Sequence, residues 1–231
     1  MLPRFRRGAF ALFALIFAIS MLLGDRASVA AATTVTPAEL LAGRSWWTPL
    51  SAPFRHGEGV ALFGLLWTLI IQWVIGSRLE GFWGATRYLV MVLVAALIGY
   101  GGAVGLAAAM PQLAEVQLSG AAPIDIAACT AFAWVFAKER MRLGSREIPP
   151  LPLAAGLGGL ALAFPVLAAL AGGLPIAQAW LCAVPSVLAG VVATLFVQPW
   201  RKRENSGKVV PSKRSDHPHL RVVRTPEDML N

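Results

Sequence analysis

The sequence predicts an all-α integral membrane protein, a polytopic bundle of six transmembrane helices. Two observations on composition lead to this class: of the 231 residues, 57% are apolar and only 14% are charged. Soluble domains carry about 25% charged residues, and disordered chains combine low hydrophobicity with high charge density. The composition therefore excludes a soluble globule, and it excludes disorder over most of the length.

Six apolar windows have about the length that a membrane span requires, which is roughly 20 residues. They lie at approximately 8–23, 59–76, 86–108, 121–137, 151–171 and 177–198. Small residues such as Gly156, Gly158 and Gly159 recur in them and let helices approach closely in lipid. The predicted order is a cytoplasmic N-terminus with the first helix (1–23), an extracytoplasmic loop (24–58), a membrane core (59–198) and a basic, disordered cytoplasmic tail (199–231).

The distribution of positive charge predicts the orientation, because cytoplasmic segments hold the excess of Lys and Arg. With the N-terminus inside, only three of the 20 lysines and arginines, Arg26, Arg44 and Arg55, fall outside. Both termini are therefore expected in the cytoplasm. High Ala and Gly content and short loops favour a bacterial inner membrane. A basic run in the tail is expected to bind anionic lipid headgroups; it consists of Arg201, Lys202 and Arg203.

The first apolar window has a second interpretation. Arginines at positions 4, 6 and 7, an apolar run and the small-residue stretch at 27–30 also resemble a cleavable signal peptide. Either interpretation delivers the following loop to the outside, so the remaining topology is the same.

Few residues could carry chemistry. The histidines are His56, His217 and His219, and the two cysteines, Cys129 and Cys182, lie inside apolar runs, where cysteine behaves as a small hydrophobe. We therefore expect no metal and no cofactor, and no nucleic-acid partner.

Two motifs flank the second span. Trp46 and Trp47 lie in the first loop, where clustered tryptophans form an interfacial belt or belong to a loop that dips into the bilayer and packs on the bundle. At the inner end, Gly76, Glu80 and Gly84 are spaced four apart, which places them on one helix face. The glycines permit close helix contact there, and Glu80 can accept hydrogen bonds from a neighbouring loop.

Together these motifs resemble the rhomboid family of intramembrane proteases. That family has a tryptophan-bearing first loop, a Phe-x-His-Gly entry to the second helix, a Gly-x-x-x-Glu-x-x-x-Gly exit and a six-helix core. Here the entry consists of Phe54, His56 and Gly57, and the resemblance covers about residues 44–195. It implies that His56 is a structural residue at the outer membrane edge.

The resemblance also implies a catalytic serine on the fourth helix, in Gly-x-Ser-Gly. Laid on this chain without gaps, the pattern covers residues 120–124 and places Ala122 at the serine position and Pro123 at the second glycine. An alternative register uses Ser119 and Gly120, with Gln117 where the first glycine belongs. Ser119 is thus the remaining candidate nucleophile.

The family's base is a histidine on the sixth helix. Ser186 and Gly190 set the frame here and place Ala183 in that position. No histidine lies between Gly57 and Asp216, and residues 57–76 lack the His or Asn that the family uses to stabilise the oxyanion. The resemblance therefore implies a catalytically inactive member rather than an enzyme.

Asp125 is an acidic residue within a predicted span, and such residues are costly in lipid and by default indicate function. It can equally accept structural hydrogen bonds near the outer interface. We expect it to face the former active-site cavity and to bond with Ser119, Thr130 or Ser186.

The sequence thus predicts a rhomboid-like pseudoprotease with derlin-like features. By analogy of fold, it would bind transmembrane helices of client or partner membrane proteins for assembly, trafficking or quality control. The alternatives are a structural accessory subunit of a larger membrane complex and an active serine protease that uses Ser119.

Overall fold

The computed structural model describes residues 5–23, 26–56, 60–139, 141–143 and 146–206, which are mostly helical. Residues Met1–Gln198 form one compact unit and Pro199–Asn231 a second. The all-α prediction is confirmed. The α-helices of the described chain are α1 Arg7–Ala18, α2 Ala27–Ala32, α3 Pro37–Leu41, α4 Thr48–Ser51, α5 Val60–Ile71, α6 Ser77–Trp83, α7 Ala85–Ala109, α8 Ala122–Val135, α9 Pro150–Ala171, α10 Ile176–Ala179 and α11 Val184–Ser206.

Four helical stretches of the described chain are long and apolar enough to cross a membrane. They are Leu62–Trp83, Ala85–Ala109, Pro150–Ala171 and Ile176–Val197. Two shorter apolar helices, Arg7–Leu23 and Ala122–Val135, coincide with the other two predicted windows. The chain therefore has the helices of a membrane protein, and a count of six spans stays a prediction.

A small β-hairpin departs from the helical pattern. It consists of β1 (Met141–Leu143) and β2 (Arg146–Ile148), which pair antiparallel with Met141 opposite Ile148. The hairpin lies in the basic segment predicted as a cytoplasmic loop, between α8 and α9.

The first of these stretches, Leu62–Trp83, is not a uniform α-helix. Between α5 and α6 the backbone widens into a π-helical turn at Gln72–Gly76, a feature found frequently at functional sites. The stretch ends at Gly84, whose φ of 83° and ψ of 160° are accessible to glycine and hardly to other residues. The chain then turns directly into α7.

The first loop folds onto the bundle. Val35 exchanges backbone hydrogen bonds of 2.8 and 2.9 Å with Leu118, which ties the loop to the segment before α8. Trp46 and Trp47 are 72% and 44% exposed, whereas Thr48 is fully buried. The loop therefore packs on the helices and its tryptophan pair faces outward, while its depth in a bilayer stays a prediction.

The beginnings of α8 and α11 meet on α7 at Gly99. A Cβ atom at Gly99 would lie 2.6 Å from the carbonyl oxygen of Pro185 and 3.2 Å from Cβ of Pro123. Further along, a Cβ at Gly190 would lie 2.9 Å from Ile126. These close approaches hold α8 and α11 side by side, next to the cavity described below.

Candidate functional site

A cavity of about 250 Å³ lies where the first loop meets the helices. Its wall combines residues of α5, α7, α8, α9, the turn before α11 and the segment before α8. Apolar side chains on α9 form one side, among them Ala161, Phe164 and Pro165. The polar side chains of the wall are His56, Thr68, Tyr100, Gln117, Ser119 and Asp125.

Asp125 is the acidic residue of this wall and is only 1% exposed. Its Oδ2 accepts a 2.5 Å hydrogen bond from the hydroxyl of Thr68, and its Oδ1 accepts a 2.9 Å bond from Nε2 of Gln72. Tyr88 orients the Gln72 side chain, because the Tyr88 hydroxyl donates a hydrogen bond to Oε1 of Gln72. The carboxylate is therefore held by a buried hydrogen-bond network that joins the second span to α7 and α8.

The partners of Asp125 differ from those expected. We expected Ser119, Thr130 or Ser186, and this expectation is wrong: the carboxylate bonds with Thr68 and Gln72. Ser186 is fully buried, and its hydroxyl has no hydrogen-bond partner in the described chain. It is also absent from the described wall of the cavity, whereas Asp125 belongs to it.

Thr68, Gln72 and Tyr88 are functional candidates that the sequence analysis missed. The available signal was spacing, since Gly64, Thr68 and Gln72 stand four apart in an otherwise apolar span and continue into the Gly76 motif. A polar residue repeated once per turn within a span faces a protein partner rather than lipid.

His56 lies at the outer side of the cavity. Its Nδ1 is 3.4 Å from the hydroxyl oxygen of Ser20, and its Nε2 is 3.3 Å from the Thr68 hydroxyl and 3.4 Å from the backbone nitrogen of Ala121. Because Thr68 donates its proton to Asp125, Nε2 either donates to Thr68 or accepts from Ala121, according to the tautomer. Burial lowers the pKa of His56 to about 4, so the ring is neutral near neutral pH.

The catalytic positions implied by the resemblance do not form a dyad. Ala122 begins α8 and lines the cavity, and it offers no nucleophile. Ser119 lines the cavity too, but the described partners of the nearby His56 ring are Ser20, Thr68 and Ala121 rather than Ser119. Ala183 is half-buried, and its neighbour Cys182 belongs to the wall instead. A serine nucleophile needs a base within hydrogen-bond reach, and Ser119 is not bonded to one.

The Glu80 motif lies away from the cavity and has a structural role. The Glu80 carboxylate accepts the backbone N–H groups of Gly8 and Ala9 at 3.0 and 2.7 Å, at the positive end of the α1 dipole. The expectation of close contact holds for Gly76, where a Cβ would lie 2.6 Å from the Tyr88 hydroxyl. It is wrong for Gly84, which has open space around it and is required for its positive φ.

Some residues that the sequence analysis singled out lie outside the part of the chain that the structure describes. Gly57 lies outside the described residues, as do His217 and His219, and the side chains of Arg201, Lys202 and Arg203 are also outside what the structure describes. Within the described chain, no three His, Cys, Asp or Glu side chains form a group that could hold a metal ion.

No protein-family model matches this sequence, and no curated protein is significantly similar to it. The resemblance to rhomboids therefore rests on its motifs, and the cavity is the structural feature that bears on function.

Proposed function

We propose that this chain is a rhomboid-like pseudoprotease with six membrane spans that binds transmembrane helices of client or partner membrane proteins. The cavity carries the proposal. It combines an apolar wall with a few convergent polar groups, as binding sites do. Ala122 stands at its edge in place of a nucleophile, and Ser119 has no bonded base.

The wall formed by α9 supports access from the membrane. This helix is the least buried of the four long apolar helices, and Pro165 interrupts its hydrogen-bond ladder beside the cavity. Proline cannot donate the N–H that would reach the carbonyl of Ala161. Because α9 exposes much of its outer face and lacks this hydrogen bond, it is the element that would move to admit a partner segment to the cavity.

The location belongs to the same proposal. Both termini lie in the cytoplasm, the membrane is a bacterial inner membrane, and Arg201, Lys202 and Arg203 contact anionic lipid. Client binding serves the assembly, trafficking or quality control of membrane proteins.

Co-purification in mild detergent, followed by mass spectrometry, tests the proposal. We expect several substoichiometric single-span proteins with the wild-type chain. Ala168→Phe, which fills the cavity, should reduce their recovery, whereas Leu167→Phe on the adjacent, lipid-exposed position should not. Equal recovery with both variants would contradict binding at the cavity.

Two other outcomes distinguish the alternatives. A single stoichiometric partner, retained by the Ala168→Phe variant, would favour the structural accessory subunit. Cleaved products that disappear in a Ser119→Ala variant would establish the active protease. We expect neither, and we expect purified protein in liposomes to leave a generic rhomboid substrate intact.

A further inference from the structure

The buried carboxylate of Asp125 has no charged partner in the described chain. Its two hydrogen-bond donors, Thr68 and Gln72, are both neutral. Each donor occupies one oxygen, and a carboxylate oxygen can accept more than one bond, so acceptor capacity remains. A charge inside a membrane protein normally pairs with another group. The network therefore positions Asp125 without supplying its counter-ion.

The surroundings of Asp125 suit a cation. None of the described residues that line the cavity is Lys or Arg, and His56 in the wall is neutral near neutral pH. Asp125 is therefore the one acidic group in the described wall, and no cationic side chain of that wall faces it. A positive group that entered the cavity would meet an acceptor and no repulsion.

The size and polarity of the cavity limit what can enter. Its volume of about 250 Å³ is below the roughly 300–1,000 Å³ of pockets for drug-sized ligands. A single long side chain is a better match. Ala161, Phe164 and Ala168 would cover the methylene groups of such a side chain while its charged end reached the carboxylate.

We propose that the cavity receives a lysine side chain from a partner's transmembrane segment and that Asp125 is its counter-ion. This inference rests on the proposed function and specifies which clients it selects: segments that carry a positive charge at membrane depth. Such segments are unfavourable alone in lipid, and pairing with Asp125 removes that penalty. Selection by a buried acid also rejects apolar segments, which would leave Asp125 unpaired.

Reconstitution of the full chain with synthetic single-span peptides tests the inference. Three peptides share one Leu- and Ala-rich sequence and differ at one central residue, which is lysine, acetyl-lysine or leucine. Acetylation keeps the methylene stem and removes the charge. We expect the lysine peptide to bind wild-type protein at least about tenfold more tightly than either other peptide, a difference of about 1.4 kcal/mol.

Two variants then test whether Asp125 is the residue that causes the preference for the lysine peptide. Asp125→Asn should abolish the preference for lysine, while the matched acid-to-amide change Glu115→Gln, at an exposed residue outside the described wall, should retain it. A lysine preference that survives Asp125→Asn would overturn the assignment. If that variant does not fold, the wild-type comparison of lysine with acetyl-lysine still decides, since equal affinities overturn the inference.

The outcomes separate the inference from the proposed function. Equal binding of all three peptides would overturn the role of Asp125 and leave helix binding intact. Binding of none of them would overturn both.

Discussion

Glu80 accepts the backbone N–H of Gly8 across 72 residues of sequence, with a distance of 3.0 Å between Oε1 and the nitrogen. Its second oxygen accepts the N–H of Ala9 at 2.7 Å. The first turn of α1 leaves N–H groups without partners inside the helix, and a carboxylate there satisfies them and opposes the helix dipole. The C-terminal half of the Leu62–Trp83 stretch thus caps α1.

Replacing Glu80 should therefore destabilise the packing of α1. Glu80→Ala leaves two buried N–H groups without acceptors, and we expect a loss of about 1–3 kcal/mol in the free energy of unfolding. Glu80→Gln keeps one acceptor and loses the charge, so its loss should be smaller. Thermal unfolding in detergent measures both. The exposed Glu115→Gln is the control, and a loss as large as that of Glu80→Ala would refute the capping role.

Substitution of the two motif glycines, Gly76 and Gly84, should lower stability for different reasons. Gly76→Ala places a Cβ against the Tyr88 hydroxyl, and Gly84→Ala forces a strained backbone; each should cost about 1–3 kcal/mol. Gly101→Ala, inside α7 with open space around it, should be neutral or stabilising by up to about 1 kcal/mol.

A second substitution separates the two causes. Tyr88→Phe removes the hydroxyl that Gly76→Ala would meet, so it should partly restore the melting temperature of that variant. It should not help Gly84→Ala. Restoration of both would mean that the steric explanation is incorrect.

Protonation of His56 should make the protein less stable in acid. Burial lowers the pKa of His56 from 6.5 to about 4, so between these values the unfolded chain binds a proton that the folded chain does not. The free energy of unfolding therefore falls as the pH decreases through this window, by roughly 3–4 kcal/mol at most from this residue. His56→Gln should flatten the fall in melting temperature over that range, and parallel curves for the two proteins would argue against a buried neutral ring.

A cysteine pair tests whether positions 122 and 183 face each other. The rhomboid-like register predicts that, in a background without Cys129 and Cys182, Ala122→Cys with Ala183→Cys cross-links under mild oxidation, because disulfides need Cα atoms roughly 4.4–6.8 Å apart. A second variant keeps Cys182, a residue of the cavity wall, lacks only Cys129, and tests cross-linking of Cys182 to Ala122→Cys. Cross-linking of neither pair would count against the rhomboid-like arrangement of α8 and α11.

Reporter fusions test the number and direction of the spans. Fusions after Leu143 and after Lys208 should report the cytoplasm, and fusions near Glu39 and Pro111 should report the outside, because most Lys and Arg residues then lie inside. A tail reported outside would exclude six spans with both ends in the cytoplasm.

Sequence patterns predicted the helices and individual unusual residues, but not which residues meet. Apolar length located the long helices of the described chain, and the spacing of Gly76 and Glu80 predicted a contact face with an acceptor. The partner of Glu80 depends on where α1 begins in space. Likewise, Asp125 was recognisable as a costly charge, whereas its bonds to Thr68 and Gln72 depend on the rotation of the second span about its axis.

Residues that contact other elements recur at every fourth position along the second span: Gly64, Thr68, Gln72, Gly76 and Glu80. In a regular α-helix a step of four residues overshoots a full turn by about 40°, so such a row would wind steadily around the axis. The widened turn at Gln72–Gly76 holds more residues per revolution and turns the row back. The turn thereby restores the alignment of the row, so that the Thr68 hydroxyl, the Gln72 amide and the Glu80 carboxylate all face protein instead of lipid. If the stretch from Gln72 to Glu80 were a regular α-helix of the same length, two such steps would carry the Glu80 carboxylate about 80° around the axis, away from the first turn of α1.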